Sequence, residues 1–586
     1  MNAGRLIRTL RHLRPPQVGW RFVHEARLRV DRVRPERRDW VDGQATFALG
    51  PSPRPTEADE KLREEALLWR NGRVRHLAIE GDRADFAGAG KPKLWRYEFQ
   101  YQRELVAVAH LAEVEGDSGM LEEAKDFVSA WALACPQPRG DAWEPYPVAR
   151  RILNWSLAAW ISPGLRTFLA PGIAAQARFL AGRLERHLLG NHLICDAAAL
   201  VVASAAVDGS GLSAIGESSL RLLTAEVQRQ TLPDGGYGER TAQYHAIVLR
   251  DVLLALAFRR ARGLGLDPHL AECARAMARC LANVARGEAV PYLNDAAPDA
   301  APPVSEVLSL ARALRLIEGP WRSWLGAAFG PLPEEKPLPP RGDLQLPQTG
   351  WTLIREGAHE LLFEHGAIGP DEQPGHGHSD ALSFELIWDG RPIVLDTGVT
   401  TYDIGEVRAF ERSAAAHAAV TVDGQGPDEL WASFRVGSRG QVLGEPVRRS
   451  AEGTRTVAGS VSSKRFRHRR RLDFRPGAAL VVVDEVTPIG GVIRSHLPLA
   501  PGCTIEAGIL AGTLRLQVLR GTLGPAQESW VGQGFGVRIP RKTYGFEADD
   551  KGRVVYAICA PGWSIELEGR SYVLRGPGTR EELGPA

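Results

Sequence analysis

This chain of 586 residues has little surplus charge of either sign. Lys and Arg number 72 against 70 Asp and Glu, leaving a formal net charge of +2. Nucleic-acid binders usually carry a strong basic excess, so a nucleic-acid partner is not expected. Cysteine is also sparse. Cys135, Cys195, Cys273, Cys280, Cys503 and Cys559 form no C-x-x-C pair, and they read as reduced and mostly buried. Cys273 and Cys280 lie seven residues apart on one predicted helix, about two turns or roughly 10 Å, which is too far for a disulfide. No uninterrupted apolar stretch reaches membrane-spanning length, so no membrane partner is expected. The first forty residues are Arg-rich, from Arg5 through Arg38, and Pro15-Pro16 interrupts them. They lack the apolar core of a signal peptide. A cytoplasmic chain is the expectation, with a periplasmic location by an unrecognised export route as the alternative.

Apolar residues make up 44% of the chain and charged residues 24%, which suits large buried cores. The length calls for two or three domains. The texture changes near residue 335. Before it, residues 105–112, 124–134, 150–160, 174–189, 196–207, 220–231, 246–263 and 268–285 carry apolar side chains at helical spacing. Short Gly/Pro/Asp breaks separate them, so antiparallel helical hairpins stacked in a ring or solenoid are predicted. No fixed-length repeat is evident. A Pro-rich connector occupies 330–349. After it, residues 351–354, 360–365, 382–388, 393–395, 419–422, 472–474, 479–483, 514–518 and 554–558 read as short strands between turns, implying a β-sandwich or double sheet. The boundaries drawn are a basic N-terminal extension over 1–60, a helical domain over 61–335, a linker over 336–349 and a β-domain over 350–586. The basic run 464–471 is read as a solvated outer strand that discourages edge pairing, in preference to a site for an acidic polymer.

Chemistry concentrates in four segments. His376 and His378 flank Gly377 ahead of an apolar strand-like run, and residues one apart on a strand share a face. Asp396 ends the next predicted strand, which places its carboxylate beside His378, and His417 follows. Two His and one Asp make a zinc site with a fourth position for water or substrate, leaving His376 free for chemistry. Trp143, Tyr146, Arg150 and Trp155 stand at a Pro-led helix start, where aromatics suit sugar stacking and Arg suits carboxylates. Taken alone, that segment is better explained as a helix start with buried tryptophans. Asn191-His192, at a turn between predicted helices, can bind an anion and move a proton; a helix cap is the simpler reading. Residues 232–245 form a Gly-rich turn that delivers Glu239, Arg240, Tyr244 and His245 to a helix start. Tyrosine needs neighbouring cations to bring its pKa down from about 10, and Arg240 and nearby histidines are the candidates.

Together these groups suit β-elimination from a uronic acid. The sugar carboxylate must be neutralised so that the C5 proton becomes acidic, and a base and an acid must serve C5 and O4. A glycosidase would instead present a pair of carboxylic acids.

Residues 369–436 contain Gly-Pro-Asp-Glu-Gln-Pro-Gly-His-Gly-His-Ser-Asp, Val-Leu-Asp-Thr-Gly, Ala-Phe-Glu-Arg-Ser and Glu-Leu-Trp-Ala-Ser-Phe-Arg-Val. This region resembles the C-terminal part of the heparinase II/III-like polysaccharide lyases. Segments 145–154, 191–192, 232–245 and 293–295 resemble the N-terminal part in the same order. The resemblance implies an incomplete α/α toroid followed by an antiparallel β-sandwich, with the active site in the cleft between them. It places a carboxylate-binding role on Asn191, catalytic roles on His192 and Tyr244, and His376 beside the substrate carboxylate. It also makes His378, Asp396 and His417 ligands of one mainly structural zinc ion. The sequence departs from the family pattern in two places: Ala418 replaces its usual Asn, and Thr241-Ala242 replaces its usual Ser-Pro.

The leading expectation is a lyase acting on an acidic, uronate-containing polysaccharide. Arg150, Arg240, Arg408 and Arg412 would meet the substrate's charge, and Trp143 and Tyr146 its sugar faces. A non-catalytic carbohydrate-binding or assembly factor for a bacterial exopolysaccharide is the second reading, and a zinc-dependent hydrolase the third.

Overall fold

The computed structural model describes residues 3–36, 44–55, 57–338, 341–487, 490–569 and 571–585. Arg37 and Arg38 of the basic segment and Pro339-Pro340 of the connector lie outside the described residues.

The helical half is an incomplete α/α toroid. Its helices start where local chemistry directs. Asp117 caps Ser118–Ala134 by accepting from the Met120 amide, and Asp267 caps Pro268–Val284 by accepting from Leu270. Pro145 opens Pro145–Ile161 at the first turn, where no amide hydrogen is needed. Pro145–Ile161, Gly190–Ala206 and Ala242–Ala261 are buried almost all the way round. Helices enclosed on every side need no polar face, and their Ala-rich sequences let neighbours pack closely.

The helix predicted over 174–189 stops at Ala181. Residues 182–189 form turns, with Leu188 and Leu189 amides both bonded to the Glu185 carbonyl. That break brings Glu185 against His192. Asn191 and His192 then fall in the first turn of Gly190–Ala206, not in an interhelical loop.

The predicted strands are all present. Leu344–Leu346, Trp351–Glu356, His359–Glu364, Phe384–Trp388 and Arg391–Val394 form an antiparallel meander. Its first strand therefore lies inside the stretch predicted as linker. Alternation along the meander joins the two halves: Leu346, Trp351, Leu353 and Leu362 pack into the helical core, while Ile354, Leu361 and Phe363 face the β-core. The sandwich's long sheet runs through Arg455–Ser462, Arg467–Arg475, Ala479–Thr487 and Arg553–Cys559. Its outer face is covered by a three-stranded sheet of Ser564–Glu568, Ser571–Gly576 and Thr579–Pro585. Burial on both faces accounts for the unbroken apolar run at 479–483.

The basic run corrects a sequence expectation. Arg467–Arg475 is an interior strand, not an edge, paired on both sides. Arg470 is fully buried and donates to both Asp484 oxygens at 2.7 and 2.9 Å and to the Leu382 carbonyl at 2.8 Å. His468 shares the same carboxylate at 2.7 Å. Burial opposes ionisation of Asp484, but Arg470 and His468 outweigh it and hold the carboxyl well below its usual range.

The N-terminal segment bridges the halves. Ala3–Leu10 sends Arg5 and Arg8 to Glu429 of the β-domain, and Asp31 near the end of Pro15–Val33 receives Arg183 of the helical domain.

Truncating Arg470 to Ala leaves the buried Asp484 carboxylate without its arginine, held only by His468 and Ser495. Breaking such a pair costs about 3–5 kcal/mol, so Arg470→Ala is expected to lower the denaturant midpoint of the β-domain by a corresponding amount in equilibrium unfolding.

Candidate active site

A cavity of about 1550 Å³ lies between the two halves. Tyr146, Arg150, Asn191, His192, Tyr244, His376 and Arg408 all line it. Of the expected residues, Trp143, Arg240 and Arg412 do not.

Asp295, in the connection after Pro268–Val284, organises the centre. Its carboxylate is fully buried and receives His376 Nδ1 at 2.9 Å, His378 Nε2 at 2.8 Å and a two-pronged contact from Arg408, with Nη2 at 2.9 Å. Burial alone would raise its pKa; Arg408 and the two imidazoles overcome this and hold it well below the carboxylate range. Its neighbours complete the clamp. Asn294, at φ +59°, accepts from the His378 amide at 2.7 Å and donates to the Arg240 carbonyl at 3.0 Å. Thr241, in one of the two departures from the family pattern, donates to the Asp295 carbonyl at 2.7 Å.

His376 and His378 sit in a loop, not on a strand; the strand begins at Phe384. Their shared direction comes from Asp295 instead of from β-periodicity. His376 stacks on Tyr244, with ring centroids 3.9 Å apart, and its Nε2 lies 3.8 Å from Glu239. The Tyr244 hydroxyl meets that of Tyr402 at 2.9 Å. Burial first, then Tyr402, Asp295 and Glu239, push the Tyr244 pKa well above its usual value. The expectation that Arg240 and histidines would lower it is overturned. Arg240 turns to the Thr349 and Gln348 carbonyls, and His245 to the Met277 carbonyl. Tyr244 is therefore a hydroxyl that holds its proton.

Asn191 and His192 occupy another part of the wall. Leu189 precedes them at φ +64° and ψ −149°, a region open mainly to glycine. Gly190 follows at φ +58°, where a Cβ would lie 2.3 Å from Glu239 Oε1. That approach lets Glu239 accept from the Asn191 amide at 3.0 Å and from Nδ2 at 3.3 Å. His192 packs on Tyr146 at 4.6 Å, and its Nδ1 meets Glu185 at 2.9 Å. Burial lowers the imidazole's pKa, but the charge and hydrogen bond of Glu185 outweigh it, and the net shift is upward.

Three of the expected substrate contacts, Trp143, Arg240 and Arg412, are corrected, because they lie off the cavity. Trp143 is core, packed on Phe179 at 4.9 Å with its indole N–H on the Cys135 carbonyl. Arg240 is turned away, as above. Arg412 is buried and holds the Gly377 carbonyl at 2.9 and 3.1 Å. Arg408 reaches the cavity with its guanidinium engaged by Asp295. Arg150 is similarly held, with Nη1 at 2.7 and 2.9 Å from the Asp251 oxygens. Sequence reasoning did not single out Glu185, Asp295 or Tyr402, and it named Glu239 only as part of the Gly-rich turn. Asp295 lies within a segment that carried the family resemblance, but an isolated acid has no pattern of its own.

Beneath this wall, His378 and His417 face each other with ring centroids 5.2 Å apart. His417 Nδ1 contacts Asp396 at 2.7 Å. Among the described residues, no three His, Cys, Asp or Glu side chains already form a metal-holding group. Yet His378 Nδ1 and His417 Nε2 are buried without a partner. Such atoms are rare because they lose water and gain nothing in return. Each ring has its other nitrogen on a carboxylate, the arrangement that orients an imidazole toward a metal. The donor set fits a cation.

A helical toroid and a β-sandwich facing each other across a Tyr/His/Asn cleft define a polysaccharide lyase. The heparinase II/III N-terminus model matches residues 99–310 and the heparinase II/III-like C-terminal model residues 338–561, and the chain belongs to this family. No curated protein matches it. Among solved structures, a heparinase III superposes with TM-score 0.71 at 17% identity, covering 96% of this chain and 95% of the other. The heparan sulfate lyase of Pedobacter heparinus gives 0.60 at 17%, covering 90% and 89%. The chondroitin AC lyase of Streptomyces coelicolor gives 0.52 at 11%, covering 90% and 85%. These likenesses establish the fold.

The stabilising contribution of the Glu185–His192 pair is complete below pH 6.5, the ordinary imidazole value, and is lost as pH rises through the raised one. Glu185→Gln removes the largest raising influences and leaves burial opposed only by the weaker pull of Glu239 and Glu144. The His192 titration midpoint followed by NMR is expected to fall from its raised position.

Proposed function

We propose that this polysaccharide lyase cleaves a uronate-containing chain by β-elimination, with Tyr244 as the acid and His192 as the base. The observation that carries the reading is the Tyr244 hydroxyl. It keeps its proton, is aligned by Tyr402 and His376, and shares one cavity with Asn191 and His192.

Asn191 and His376 receive the uronate carboxylate. The Asn191 side-chain amide carries two N–H donors; Nδ2 lies 3.3 Å from each Glu239 oxygen, a forked contact that one N–H can make. Neutralising the carboxylate makes the C5–H bond acidic. His192, with Nδ1 oriented by Glu185, presents Nε2 to take the C5 proton. The electron pair forms the C4–C5 double bond as the C4–O4 bond breaks, and Tyr244 gives its proton to O4. Tyr146 offers its face to a sugar ring. The relatives act on similar chemistry: one is named a heparan sulfate lyase and another a chondroitin lyase crystallised with chondroitin sulphate.

A proton donor and acceptor placed across one cavity favour catalysis over the binding-factor reading. The hydrolase reading requires a metal in contact with substrate, and neither His378 nor His417 lines the cavity. We infer that His378 and His417, with Asp396, hold one zinc ion whose contribution is structural. It would tie the loop bearing His376 to the β-domain, satisfying the two partnerless nitrogens.

Tyr244→Phe removes one oxygen and should fold normally. Losing a general acid typically lowers rate by about 10²–10⁴-fold, read as the ultraviolet absorbance of the unsaturated uronate product. Wild-type turnover in this variant would eliminate Tyr244 as the acid. For the metal, elemental analysis of the purified protein is expected to find one zinc per chain, and chelation to lower the melting temperature. Metal-free protein whose melting is indifferent to chelator would refute that assignment.

A further inference from the structure

The charges around the cavity constrain the polymer beyond its uronate. Eight cationic side chains line the wall: Lys61, Lys93, Arg103, Arg150, Arg250, Arg408, Arg435 and Arg538. Five are already paired with protein carboxylates. Lys93 lies 2.8 Å from Glu144, Arg150 2.7 Å from Asp251 and Arg250 2.9 Å from Glu306. Arg103 stands 3.8 and 4.0 Å from Glu65 and Glu98, and Arg408 is held by Asp295. Among the described residues, Lys61, Arg435 and Arg538 have no carboxylate within ion-pair distance, and Arg538 lies over the Trp530 ring at 5.3 Å.

Acids on the same wall offset these three. Asp403, on the loop that carries Tyr402, and Glu406, which opens the helix Glu406–Glu411 after it, are exposed, and neither meets a cation among the described residues. Asp299 binds the Phe535 amide at 3.1 Å, and Glu288 binds Ser305 at 2.8 Å. The remaining surface is substantially apolar or aromatic, including Leu94, Ile247, Trp324, Phe434 and Phe535.

A polymer with several sulfates per repeat needs a matching surplus of unpaired cations, because each sulfate leaves water and gains only what the wall returns. A wall of one sign also concentrates the opposite charge. This wall has neither property. Resting on the lyase reading above, we propose that the substrate is an unsulfated uronate polymer of low charge density, whose neutral sugars lie on the apolar and aromatic wall. Asp403 and Glu406 act as a gate of like charge against sulfated chains.

The test measures kcat/KM from the unsaturated product on matched pairs: unsulfated chondroitin against chondroitin sulfate, and N-acetylheparosan against heparan sulfate. Like charges in close juxtaposition repel, so cutting is expected to be confined to the unsulfated polymers or at least about tenfold faster on them. Equal or faster cutting of the sulfated members overturns this proposal and leaves the lyase reading intact. No product from any uronate polymer overturns the lyase reading itself. In the double variant Asp403→Asn, Glu406→Gln, the preference for unsulfated chains is expected to narrow by at least about threefold, since removing like charge relieves the repulsion. An unchanged ratio overturns the gate.

Discussion

One buried carboxylate holds this molecule's two halves in register. Asp295 belongs to the helical domain, while the groups it binds, His376, His378 and Arg408, all belong to the β-domain. An isolated carboxylate in a protein interior is prohibitive; a carboxylate with three donors is tolerable and directional. The contact therefore works only when the halves dock in one orientation. That orientation also places His376 on the ring of Tyr244 and brings the Tyr402 loop to its hydroxyl.

The same economy recurs across the interface. Arg286 of the helical domain reaches Glu360 and Glu385 of the β-domain, and Asp234 accepts from the Gln348 and Thr349 amides. Around this polar frame, the face of the meander bearing Trp351, Leu353 and Leu362 sits in the helical core. The apolar contact supplies adhesion and the ion pairs supply register. Backbone strain collects where the frame meets the cavity. Leu189, Arg240 and Asn294 all adopt positive φ, and non-glycine residues in such regions each cost about 1–3 kcal/mol. These three positions adjoin Asn191, Thr241 and Asp295, so the strained backbone lies where the wall's geometry is set.

Much of the wall's charge is committed internally. Arginines that looked available for substrate are bound to Asp251, Asp295 or backbone carbonyls. What they give up in contact with a polymer they return as rigidity, because each fixes a carboxylate or a loop that presents a catalytic group. Arg412, gripping the Gly377 carbonyl between His376 and His378, is the clearest case.

Sequence by itself determined the elements, their order and the chemistry on offer. Helical spacing before residue 335 and alternation after it reflect how side chains must bury along a helix or a strand, and such patterns survive any particular packing. The motifs around Asn191, Tyr244 and His376 were legible because unusual residues cluster there. Partnership was not legible. Whether Arg470 lies on an edge or in the interior depends on which strand comes to lie beside it. Whether Arg240 lowers a tyrosine's pKa depends on which way one side chain turns. Asp295, Glu185 and Tyr402 act on groups 81, 7 and 158 residues away. Only tertiary structure decided these contacts, because charge, hydrogen bonding and desolvation act through distances of a few ångströms, which chain position does not encode.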